Sequence, residues 1–151
     1  MLRMRRQKER RTTTTTGVRT LDQSLETTKE RLLEVQEPMG LDDEQRAFRV
    51  RRAVLQTLRD RLTVEEAAQF AVQLPMLLQG VYYHGWTPAG KPAKIRSRAE
   101  FLDKVAEGRM RQHDPEEACR IVFRVLEQRM PGGGIEDVKR ILPGPIRDLW
   151  P

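Results

Sequence analysis

The chain has very few of the side chains that usually do chemistry. Among its 151 residues there are one cysteine, two histidines, two tryptophans, two tyrosines and four phenylalanines. A lone Cys119 forms no internal disulfide and no thiolate cluster, which fits a reducing, cytoplasmic setting. His84 and His113 lie near no cysteine and in no i, i+4 pair with another ligand type, so no zinc spacing is present. No apolar run approaches the roughly 20 residues that cross a bilayer, so no membrane association is expected. The basic first residues lack the apolar stretch of a secretory signal. No segment alternates with a two-residue period, so no strand is predicted. No Ser-His-Asp order and no paired acid and base stand out. No catalytic, cofactor-binding or metal-binding residue is therefore assigned.

Charge is plentiful but unevenly placed. The net charge is +6. Arg3, Arg5, Arg6, Lys8, Arg10 and Arg11 stand against Glu9 in residues 1–11, and the other 140 residues are almost balanced. The pI near 10.0 thus describes a basic tail on a nearly neutral domain. Residues 1–17 end in Thr12 to Thr16 and Gly17 and read as disordered, since their like charges repel and little in them can be buried. Two readings of the tail stand side by side: an arm for nucleic-acid phosphates, or a solvated extension, for which a start codon placed too early is one origin.

From residue 18 to 151 the pattern is that of one helical domain. Leu21, Leu25, Leu32 and Val35 recur at helical spacing after a Thr20/Gln23 capping box, and Pro38 and Gly40 end that helix. Asp42 with Gln45 opens a second, with Phe48, Val54, Leu55, Leu58 and Leu62 facing in. Thr63 with Glu66 opens a third, closed by Pro75, and a short apolar piece runs from Met76 to Tyr83. Residues 85–96 read as a loop. Ser97 with Glu100 starts the next helix, and Asp114-Pro115-Glu117 the one after. Ile135, Val138, Ile141 and Leu142 mark a seventh, and a last turn spans 146–150.

Two halves, about 20–83 and 97–151, align without a gap at an offset of 68 residues. Arg52, Val54, Leu58, Arg61, Leu74 and Pro75 meet identical residues at Arg120, Val122, Leu126, Arg129, Leu142 and Pro143. A shared proline after two helices points to an internal duplication. Units of about 60 residues are marginal alone, so the halves are expected to share a core. The expected fold is all-α: a duplicated helical bundle of about seven or eight helices with an approximate internal twofold repeat and no sheet.

Few motifs rise above this frame. Gly85 to Lys91 opens like a phosphate-cradling loop, G-x-x-x-x-G-K, but Pro92 replaces the magnesium-binding Ser or Thr and a helix precedes it instead of a strand. Tyr82, Tyr83, His84 and Trp86 form the densest aromatic cluster, followed by Lys91, Lys94, Arg96 and Arg98 with no acid between Gly85 and Ala99. Aromatics beside cations stack bases and hold phosphates, while single aromatics commonly fill cores. Tyr83, His84, Trp86, Lys91, Lys94, Arg96 and Arg98 are the candidate partner-binding residues. Cys119 reads as a packed small residue and His113 as exposed before a helix cap. Glu65, Glu66, Glu116, Glu117 and Asp137 read as first-turn capping acids.

The run Arg59 to Ala68, then Gln73 to Leu78, Val81-Tyr82-Tyr83 and Gly85-Trp86, resembles the bacterial family known as domain of unknown function 2267. So do Asp114 to Ala118, Ile135 to Val138, Leu142-Pro143 and Leu149-Trp150-Pro151. The resemblance covers about residues 20–151 and implies a compact helical fold and a bacterial cytoplasmic protein. It implies no activity and carries over no catalytic residue. Two departures stand out. His84 occupies the place of Glu in the family's Tyr-Tyr-Glu-Gly-Trp string. Arg31 and Arg51 stand where apolar residues would suit both the family and the helical stripe, with weakened packing or snorkelling as the expected consequence.

Three functions are carried forward. The first is a non-enzymatic protein-interaction module, which predicts an exposed apolar patch near Tyr83 and Trp86. The second is a nucleic-acid accessory protein acting through residues 1–11 and the Lys91–Arg98 loop. The third is an enzyme of unassigned reaction. No cofactor is expected.

Overall fold

The computed structural model describes residues 16–108, 113–130 and 132–151. Within them the chain is all-helical, with eight helices: α1 (Arg19–Gln36), α2 (Glu44–Arg61), α3 (Val64–Val72), α4 (Met76–Tyr83), α5 (Arg98–Ala106), α6 (Pro115–Arg129), α7 (Gly134–Ile141) and α8 (Gly144–Arg147). The basic tail falls largely outside the described residues.

Local chemistry sets most of the boundaries. Asp43, Thr63, Ser97 and Asp114 each accept a backbone N–H of the first turn behind them, which satisfies one of the donors a helix start leaves open. The second helix is thus capped by Asp43, one residue beyond the expected Asp42. The Thr20/Gln23 box does not form. The helix already starts at Arg19, and Asp22 instead accepts from the backbone and hydroxyl of Thr16, at 2.7 and 2.8 Å. Gly40, at φ +63°, reverses the chain after α1, and the Leu41 N–H donates to the Gln36 carbonyl at 2.9 Å.

Helix α2 is the central element, with nine of its 18 residues buried. It packs against α1, α4, α5 and α6. One continuous cluster runs from Val35 to Trp150, so residues from both halves of the sequence share a core. Several residue pairs at the 68-residue offset are alike in burial. Pro75 and Pro143 each precede a short helix with closely similar backbone angles. Leu74 and Leu142, Leu78 and Ile146, and Tyr82 and Trp150 are all buried. Around them, Trp150 stacks on Phe123 at 4.2 Å and Tyr82 tilts against Phe70 at 5.6 Å.

Helix α1 departs from expectation. Only Thr28 and Val35 of its 18 residues are buried. Leu21 and Leu25, read from their spacing as core, are 44% exposed. Between them Ser24, partly buried, meets α4, where it accepts from the Leu77 N–H. His113, expected exposed, is half-buried.

Candidate functional site

The aromatic cluster and basic loop gather at the C-terminal end of α2. Tyr82 is fully enclosed, and its hydroxyl donates to the Ala67 carbonyl at 2.8 Å. Burial pushes that hydroxyl well above its ordinary value. Tyr83 packs edge-on to Tyr82 at 5.2 Å, and Trp86 lies against Tyr83 at 5.6 Å. Both Tyr83 and Trp86 are half-buried against the core. They therefore wall the core and do not form an open apolar patch.

The last carbonyls of α4 need donors, because a helix end leaves them unpaired. Helix α2 supplies them. The buried Arg59 donates to the carbonyls of Tyr82 and His84 at 2.7 and 2.9 Å, and Gln56 donates to that of Val81 at 2.9 Å. The loop that follows is pinned to the same end. The Ala93 N–H donates to the Asp60 carbonyl at 2.7 Å, Arg61 Nε donates to the Ile95 carbonyl at 2.6 Å, and Ile95 is buried.

The expected binding residues separate into two groups. Lys91 Nζ sits 3.9 Å from Asp60, and Arg98 pairs with Glu116 at 3.1 Å and donates to the Pro145 carbonyl. These two cations are engaged by partners within the fold. His84, Lys94 and Arg96 are exposed, and Lys94 and Arg96 make no ion pair among the described residues. Burial, with Arg96 nearby, holds the Arg61 guanidinium below its ordinary value. The Gly85–Lys91 loop follows helix α4, with its lysine beside Asp60.

A second surface escaped the sequence reading. Leu21 and Leu25 of α1, Val72 at the end of α3, and Met76 and Leu77 opening α4 are 39–78% exposed. The Leu77 N–H donates to Ser24 Oγ of α1 at 3.3 Å, which brings the start of α4 beside the stretch of α1 that carries Leu21 and Leu25. The signal was present in Met76-Leu77-Leu78: three successive apolar residues of a helix span most of its circumference, and only Leu78 reaches the core.

A groove of about 670 Å³ separates the end of α1 from α6, lined by Leu33, Glu34, Pro38, Val125, Gln128 and Arg129 among others. Glu34 and Arg129 form an ion pair that links the two helices. Behind it lies Arg51. It does not snorkel. It is 2% exposed, with Nη1 bonded to the Arg31 carbonyl and Nε enclosed without a partner. Burial pulls its guanidinium down to about 10; Glu34 raises it, and Arg31 and Arg129 lower it further. The two arginines that stood out in the sequence thus meet in space.

Cys119 is buried, and burial raises its thiol to about 12, far from a nucleophile's range. Among the described residues no group of three or more His, Cys, Asp and Glu side chains is placed to hold a metal ion. No helix among them is long and apolar enough to cross a membrane.

The profile of the uncharacterized conserved protein family DUF2267 matches residues 28–149. The chain belongs to the DUF2267 family. No curated protein matches it. The DUF2267 match begins at Thr28, so Leu21 and Leu25 precede it, while Val72, Met76, Leu77 and the whole 84–97 loop fall inside it.

Proposed function

We propose that this DUF2267 protein is a non-enzymatic protein-interaction module that grips its partner where α1 meets the start of α4. The observation that carries the reading is the exposure of Leu21 and Leu25 on α1 and of Met76 and Leu77 on α4 where Leu77 meets Ser24, with Val72 exposed at the end of the preceding helix. Contiguous apolar surface of this kind is a common mark of a docking site. The partner that suits it is an amphipathic helix, whose apolar stripe would complete the seam that α1 leaves open. Helix α4 runs from this face to His84, about 12 Å away at 1.5 Å per residue. His84, Lys94 and Arg96 are then placed to contribute a polar rim, with Tyr83, Trp86, Lys91 and Arg98 holding that rim in place.

The test is co-purification from source cells with the wild-type chain and a Leu21→Asp/Leu25→Asp variant. The variant should keep its circular dichroism and lose the partner that the wild type retains. Retention of the same partner by the variant would refute the face.

A second reading, nucleic-acid binding, is favoured by exposed Lys94 and Arg96 beside Arg61. Its other element, residues 1–11, lies outside the described residues. It requires affinity for single-stranded DNA that drops steeply between 50 and 200 mM salt.

A further inference from the structure

Helix α1 lies along α2 over an extended contact, but the seat is poorly matched around Arg51. Two of its 18 residues are buried, against nine of 18 in α2. Two buried polar atoms lack partners in this region: Thr28 Oγ1 on α1, and Nε of Arg51, which bonds to α1. Helix interfaces normally satisfy such atoms, since each enclosed orphan is costly. Arg51 makes a poor match for a second reason. It forms no ion pair among the described residues, and the nearby carboxylate, Glu34, is already engaged by Arg129. Arg31 adds like charge from α1 itself. A buried cation without a carboxylate is among the costliest arrangements a core can hold.

From this mismatch we infer that the α1 seat on α2 is an exchangeable-helix site, fitted to an amphipathic helix with a carboxylate where α1 carries Arg31. Ala47, Val54 and Leu55, one turn to either side of Arg51, are buried and supply the apolar floor such a helix needs. The carboxylate turns the repulsion at Arg31 into attraction and meets directly the charge that Glu34, bonded to Arg129, offsets only in part. The groove between α1 and α6 leaves one flank of α1 open, which gives an incoming helix a place to start. This site lies beneath α1 at Arg51, whereas the proposed docking face includes the exposed part of α1 itself; the test turns on the Arg31 and Arg51 charges alone, so it can fail while the docking face stands.

The test has two arms. Hydrogen exchange on the full chain should show α1 amides exchanging about tenfold or more faster than those of α2, as expected for a locally opening helix. Protection of α1 equal to that of α2 overturns the inference. In the second arm, labelled peptides copying residues 18–37, unmodified or with Arg31→Glu, are titrated with the chain. The Arg31→Glu peptide should bind about tenfold or more tightly than the unmodified one, in line with the coupling of close charge pairs. That preference should vanish in an Arg51→Leu chain, with Arg51→Met as the second variant because it keeps an unbranched side chain. Equal binding of the two peptides, binding of neither, or a preference that survives removal of the Arg51 charge overturns it.

Discussion

Replacing Arg51 with leucine should stabilise the protein, against the usual direction of core substitutions. Arg51 is 2% exposed, its Nε has no partner, and its guanidinium has no carboxylate of its own. Substituting well-packed apolar residues for buried ionic groups typically gains about 1–4 kcal/mol. Against this stands the hydrogen bond to the Arg31 carbonyl, worth about 1.5–3 kcal/mol as a bond to a charged group. Its loss is softened because that carbonyl lies in mid-helix, where the backbone ladder also uses it. That gain already includes the burial of the replacing side chain, and leucine's shorter reach leaves a small void that takes some of it back. The net expectation is a gain of about 1–3 kcal/mol, or a rise in Tm of about 3–10 °C for a domain of this size. Urea unfolding at pH 7 measures it, with an unchanged slope as the control for two-state behaviour. A loss of more than about 1 kcal/mol would refute the claim that Arg51 is poorly matched to its surroundings.

Two further tests follow from packing and titration. Gly108→Ala should cost about 1–3 kcal/mol, since the added Cβ would meet Ala53 Cβ at 2.6 Å and the Val105 carbonyl at 3.2 Å. Gly134→Ala meets only the flexible Gln73 side chain and should cost less; equal losses in thermal unfolding would contradict this packing. Cys119 gives a pH dependence. Its folded thiol titrates near 12, against 9.0 ordinarily, so between pH 9 and 12 the unfolded chain releases a proton that the folded chain keeps. Stability is therefore full below pH 9 and falls as pH rises through that window. The wild type should lose about 1.3 kcal/mol more than Cys119→Ala between pH 8 and 10 in urea unfolding. Parallel pH profiles of the two proteins would count against a buried thiol.

Most of the helical frame was legible along the chain, because its determinants are local. A Thr, Ser or Asp cap followed by an acid, or a proline after an apolar stripe, acts within one turn of where it stands. This is why Thr63, Ser97, Asp114, Pro75 and Pro143 all mark boundaries in the structure. The first helix was the exception. Thr20 resembled a cap, but Asp22 and Thr16 had already closed the turn ahead of it. The residues of the basic loop were visible as a cluster, yet their roles were not. Lys91 and Arg98 are held by Asp60 and Glu116, whose positions depend on how α2 and α6 meet the loop.

The sequence by itself determined the all-α class, the family and the inward stripes of α2 and α6, because periodicity and capping are written in neighbouring residues. Only the tertiary structure decided which apolar stripe has something to pack against and which charge is enclosed. Leu21 and Leu25 share the spacing of core leucines but stay half-exposed, and Arg51 shares the chemistry of a surface arginine but lies beneath α1. Exposure depends on what distant segments bring to the other side of a helix, and spacing along one chain carries no record of that.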